Sequence, residues 1–199
     1  MSIYALIPLL PLAASVILAL SGRRLEGKGQ RIVVPTIALS FALSVVAFVE
    51  VVTRGPLDVP LYRLIETGNL VVDFGLYIDQ LTVLLLLLVT GVSTVVQIYS
   101  SRYMIGDSRH SRFFAVTSLF TSAMMLVVMS RNLLMTYMFW EVMGICSYLL
   151  ISHYAGRRSA HRAATKVFLV NSVADVGFGL GVILTFSRPQ RAQTRDASR

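Results

Sequence analysis

One carboxylate sets the chemistry open to this sequence. Glu141 stands near the midpoint of residues 132–152, NLLMTYMFWEVMGICSYLLIS, an apolar stretch long enough to cross a bilayer as a helix. A charge at that depth costs roughly 2.5–3.5 kcal/mol on insertion scales, and ionisable groups kept inside helix bundles mark ion or proton paths. The competing reading is a neutral glutamic acid hydrogen-bonded to a neighbouring helix. Two further groups share the apolar region with it. Asp175 follows Asn171 by four residues, which puts both on one helical face, and Lys166 opens the same stretch. Burial raises a carboxylate pKa and a nearby cation lowers it, so a movable Lys166 could load and unload a proton on Glu141. Snorkelling to the surface is the plainer role for that lysine. The sequence leaves open whether the two side chains meet.

The elements that must position these groups are spans. The chain has 199 residues, 55% of them hydrophobic and 14% charged, which is too apolar for an ordinary soluble domain. Apolar runs predict six transmembrane helices at about residues 3–20, 32–52, 79–99, 113–129, 132–152 and 163–186. Between the second and third lies the longest connection. There Thr67-Gly68-Asn69 is a turn between two extended runs, so a small extramembrane β-hairpin is expected. The fold class is an all-α polytopic membrane protein with that one hairpin. Residues 1–186 read as the transmembrane domain, and 187–199 as a basic, disordered tail.

Several residues read as structural. Asp79 suits a helix N-terminus, where a carboxylate caps free amides. Pro8 and Pro11 in the first span need neighbouring helices to satisfy the carbonyls they free. Thr117, Ser118, Thr121 and Ser122 form a hydroxyl face for close helix packing, and Gly177 with Gly181 gives a small-xxx-small pattern. Trp140 and Gly144 flank Glu141 and are assigned to packing. Cys146 is a small packing residue; no disulfide or CxxC metal pattern is possible with one cysteine. His153 and His161 fall in a basic loop and are expected to be solvated.

Charge sets topology. The formal net charge of +8 would suggest nucleic acid in a soluble protein, but here the cations sit in short loops and the tail, so nucleic-acid binding is not expected. The odd loops carry Arg23, Arg24, Lys28 and Arg31; Arg102, Arg109 and Arg112; Arg157, Arg158, Arg162 and Lys166. The even loops carry Arg54 and Arg63, then Arg131 alone. The odd loops therefore face the cytoplasm, and the N-terminus and hairpin face the other side. Arg188, Arg191, Arg195 and Arg199 break this rule, so either the sixth span does not cross alone or the tail is not the original continuation. The first span lacks a basic n-region and is read as retained. No dinucleotide fingerprint, cysteine cluster or paired intramembrane histidine is present, so no redox cofactor or metal is expected on this chain.

The stretches GLYIDQLTVLLLLLVTGVSTVVQIYSSRYM, NLLMTYMFWEVMGICSYLLISHY and AATKVFLVNSVADVGFGLG resemble the N-terminal part of the NuoL-type subunit (chain 5) of respiratory complex I. That family is the antiporter-like proton channel of NADH:quinone oxidoreductase and is similar to the large subunit of Mrp-type antiporters. Trp140-Glu141 followed by Cys146-Ser147-Tyr148-Leu149-Leu150 is the most specific piece. The resemblance implies a membrane subunit carrying part of a proton-translocation path through Glu141, with Asp175 at a matching acidic position; Lys166 is added to that path on the reading of the residues alone. Glu141 matches the family's essential fifth-span glutamate. Asp175 matches the acid of a motif in which the family arginine and glycine are here Ser172 and Ala174. Partners would be other membrane subunits of complex I and the lipid bilayer of the cell inner membrane. The assembly would use NADH, FMN, iron–sulfur clusters and quinone. Family members are several times longer, so the expectation is a truncated or frameshifted gene product, or one half of a split subunit. The alternatives are a cation/proton antiporter or ion-coupled uptake subunit without redox coupling, and a non-functional remnant.

Overall fold

The computed structural model describes residues 3–21, 28–67, 70–107, 109–154, 156 and 158–187. A turn of 3-10 helix, Ile3–Ala5, leads into α1 (Leu6–Ser21). Then come α2 (Gln30–Arg54), strands β1 (Leu57–Thr67) and β2 (Leu70–Ile78), α3 (Gln80–Tyr103), α4 (His110–Val128), α5 (Leu133–Ile151) and α6 (Arg158–Ser187). Six helices are long and apolar enough to cross a membrane, as the hydropathy pattern predicts. This is a multi-pass membrane protein. The helices run up to five residues beyond the expected spans, most at the start of α6, because an apolar count stops where polar residues continue the helix into the interface. The expected turn at Gly68-Asn69 and the tail from residue 188 lie outside the described residues.

Lipid tails are as apolar as leucine side chains, so exposed residues such as Leu88, Val95 and Leu169 do not drive helix association. Close packing and interhelical hydrogen bonds decide it. The α1–α2–α4 contact shows how. Pro11 has no N–H, which leaves the Ile7 carbonyl without its donor in the helix. Ser40 Oγ of α2 donates to that carbonyl at 2.9 Å. Ser118 and Ser122 of α4 donate to the Pro11 and Pro8 carbonyls, each at 2.8 Å, and Ser15 returns a bond to Ala115 O at 2.8 Å. The hydroxyl face of α4 therefore lies against the proline-bearing helix, and α4 is the most enclosed of the six.

Two apolar clusters fill the bundle. One joins Leu18, Val33, Ile37, Met104 and Phe114 near the first and third loops. The other, at the opposite end, joins Ile7, Val51, Val83, Met125, Met129 and Met135 with Leu76 and Ile78 of β2. Leu76 and Ile78 point inward and Tyr77 outward, the alternation of a half-buried strand. The hairpin is antiparallel, with register shifts between Pro60/Tyr62 and Arg63/Ile65. It is tied to the α4–α5 turn by Tyr77 N–H to Met129 O at 2.9 Å, by the Leu76–Ser130 bridge and by an Arg131–Asp58 ion pair at 3.1 Å.

Candidate functional site

The α4–α5 turn fixes where α5 begins. Asn132 is extended and accepts the Met135 amide at 2.8 Å as the N-cap. With the hairpin holding the turn just before it, the phase of α5 is set. Tyr137, Glu141 and Tyr148 then fall on one face, spaced by four and seven residues, with Trp140 beside them. That face meets α6. The Tyr148 and Phe168 rings lie 5.3 Å apart. The Phe178 ring meets Tyr137 edge-on at 5.5 Å and Trp140 edge-on at 6.0 Å.

Within this aromatic frame the two intramembrane acids share one interface. Trp140 Nε1 donates to Asp175 Oδ1 at 3.0 Å. Asp175 is 9% exposed, Glu141 is half-buried, and the Tyr137 hydroxyl lies beside Glu141. An indole can only donate, so Trp140 supplies a bond to Asp175 whether that acid is charged or neutral. Among the described residues neither acid has an ion pair with Lys, Arg or His. The arrangement sets two acids, an indole donor and a phenol hydroxyl on one helix–helix interface.

The structure does not bring Lys166 to Glu141. Trp140 faces Asp175 and Tyr148 faces Phe168, so α5 and α6 run antiparallel. Lys166 lies nine residues before Asp175, roughly 13 Å along the helix at 1.5 Å per residue, and is exposed. Asn171 is also exposed, and Ser172 bonds its own helix at Phe168 O. Cys146 is fully buried. Gly144, Gly177 and Gly181 have open space where a Cβ would stand, so the small-residue pattern on α6 packs against no described residue of this chain. The close approach falls instead on Gly179, whose added Cβ would lie 3.0 Å from the Tyr137 hydroxyl. Asp79 caps α3, accepting the Thr82 amide at 2.8 Å. That bond holds its carboxyl below the usual aspartate value.

Sequence reasoning missed Tyr137 and Gly179. The four-residue step from Tyr137 to Glu141 was a usable signal; the contact with Gly179 depends on the α5–α6 register, which nothing local encodes. His153 needs correction. Expected to be solvated, it is buried, with Nε2 3.3 Å from Asp107 Oδ2 and its carbonyl accepting Arg109 Nη1 at 3.2 Å. The α4–α5 packing brings two loops 46 residues apart together. His161 is exposed, as expected. No group of three or more His, Cys, Asp or Glu side chains suited to a metal occurs among the described residues.

Residues 64–114 match the family model described as NADH-Ubiquinone oxidoreductase (complex I), chain 5 N-terminus. Residues 130–193 match that described as NADH:quinone oxidoreductase/Mrp antiporter, TM. NADH-quinone oxidoreductase subunit L of Rickettsia bellii is 41% identical over 184 residues, which cover 92% of this chain and 29% of that protein. Subunit L of Mycobacterium tuberculosis is 37% identical over 182 residues, 89% of this chain and 29% of that protein. The chloroplastic NAD(P)H-quinone oxidoreductase subunit 5 of Anthoceros angustus is 37% identical over 185 residues, 89% and 25% respectively. The chain thus spans less than a third of the length of these curated relatives. Among solved structures, a chain of the membrane-bound sulfane sulfur reductase, an archaeal respiratory membrane complex, superposes with a TM-score of 0.75 at 19% identity. The match covers 92% of this chain and 37% of that one, a likeness of fold.

Proposed function

The chain belongs to the family of chain 5 (subunit L) membrane subunits of NADH:quinone oxidoreductase, and from that premise we propose that it carries part of a proton-translocation path through Glu141 in a proton-pumping assembly of that kind. The observation that carries the reading is the meeting of Glu141, Asp175, Trp140 and Tyr137 on the α5–α6 interface. Glu141 accepts and releases the proton. Asp175, held by the Trp140 indole, is the second acid, and Lys166 acts at the loop end of α6 as a cation that biases the field along the path. The chain holds no redox centre in this account; NADH, FMN, iron–sulfur clusters and quinone belong to other subunits of the assembly.

Its partners are other membrane subunits, which cover the open faces of α5 and α6 at Gly144, Gly177 and Gly181. The assembly sits in the cell inner membrane with the N-terminus on the non-cytoplasmic side, a reading that rests on the arginine bias of the odd loops. The names of the relatives favour this over an antiporter or uptake subunit without redox coupling. Purification of the tagged chain from native membranes tests it. Co-isolation with NADH:quinone oxidoreductase subunits is expected; co-isolation with a cation/proton antiporter assembly free of quinone reductase contradicts it.

A further inference from the structure

A second set of buried polar groups lies away from the α5–α6 acids. Gln97 of α3 is fully buried, and neither atom of its amide has a hydrogen-bond partner among the described residues. His110, in the first turn of α4, is 3% exposed, and both of its ring nitrogens are likewise unpartnered there. Buried polar groups are almost always satisfied by protein or by ordered water, so these two side chains require a ligand.

They stand on facing stripes. On α3, Ser93, Gln97 and Ser100 recur at helical spacing; on α4, Thr121, Thr117, Phe114 and His110 do the same. The Thr121 and Ser93 hydroxyls meet at 3.3 Å, which sets the two stripes against each other. From that contact Gln97 lies roughly 6 Å and His110 roughly 16 Å toward the third loop, at 1.5 Å per residue. At the loop end the Asp107 carboxylate accepts the Arg109 amide at 2.7 Å and lies 3.3 Å from His153 Nε2. The His110 amide donates to Asp107 O at 3.3 Å. The Phe114 ring lies 4.7 Å from the His110 ring, at a level along the helix between those of His110 and Gln97.

We propose that the α3–α4 seam is a water-binding site, in which water joins the His110 imidazole to the Asp107–His153 pair and, inward of Phe114, satisfies the Gln97 amide. The chemistry selects water over an ion. No carboxylate lies on either stripe inward of Asp107, whereas an amide and an imidazole each offer a donor and an acceptor, as water does. The site is independent of the Glu141 path: it lies on other helices and needs no redox assembly.

Histidine C2 hydrogen–deuterium exchange on the membrane-embedded chain tests the outer half, because the reaction needs water at the ring. The exposed His161 serves as the reference in the same molecule. On the alkaline plateau His110 should exchange within about tenfold of His161, and slower exchange than that overturns the proposal. A density map of the membrane assembly that resolves buried waters tests the inner half. Density at hydrogen-bond distance from Gln97 Oε1 or Nε2 is expected; none there, with waters visible elsewhere in the bundle, overturns it.

Discussion

Among the described residues the Trp140 indole is the donor that α5 gives Asp175, and that makes the pair sensitive to one atom. Trp140→Phe keeps the ring packing on Phe178 but removes the N–H, leaving a buried carboxyl short of a bond. A loss of about 1–3 kcal/mol is expected, read as lower thermal stability of the detergent-solubilised assembly. Unchanged stability would mean that the indole bond is not made in the membrane. Asp107 supplies a prediction outside the spans. The Arg109 amide and His153 hold its pKa below the ordinary 3.8. Its contribution is therefore whole above the unfolded value and is lost as pH falls through the lower folded value, below about pH 4. The stability gap between the parent chain and Asp107→Asn should be open at neutral pH and close in that acid range.

At the scale of elements, serine hydroxyls and proline carbonyls hold α1, α2 and α4 together. Ser40→Ala should cost about 1–3 kcal/mol, because Pro11 leaves the Ile7 carbonyl no helical donor to fall back on. Ser118→Ala should cost less, about 0.5–1.5 kcal/mol, since the Pro11 carbonyl keeps a helical partner in the Ser15 amide. Equal losses in thermal denaturation would contradict the argument. On α6, Gly179→Ala places a Cβ 3.0 Å from the Tyr137 hydroxyl and should displace that ring, while Gly177→Ala and Gly181→Ala meet nothing within 4 Å among the described residues. Tyrosine fluorescence or a resolved density map separates the three. The hydroxyl face and the need for neighbours at Pro8 and Pro11 were legible from spacing alone. The serine that meets each carbonyl was not, because the match depends on helix register across more than a hundred residues.

For the whole molecule, hydropathy specified six spans, because bilayer thickness and backbone hydrogen bonding leave few alternatives. Turn residues between two extended runs specified the hairpin, and a carboxylate at a helix start specified the Asp79 cap. The hairpin's docking on the α4–α5 turn escaped notice because strand pairing carries no local signal of which helix turn it covers. At the site, Glu141 stood out as a charge in an apolar run, and Asp175 as an acid sharing a helical face with Asn171; that Asp175 is met by Trp140 was not legible, because it depends on the α5–α6 register. The meeting of Lys166 with Glu141, which the sequence left open, did not follow, since Lys166 is exposed and lies nine residues before Asp175 on α6, roughly 13 Å along the helix. Buried Gln97, His110 and His153 were hidden by their polar character, which reads as surface until the packing is known.

The central claim is that Glu141 carries the proton. Glu141→Gln keeps size and hydrogen bonding but cannot ionise. In inverted membrane vesicles holding the complete assembly, the gradient formed on NADH oxidation should be lost, with the chain still inserted and the complex still assembled. Pumping at the parent level in that variant would contradict the claim.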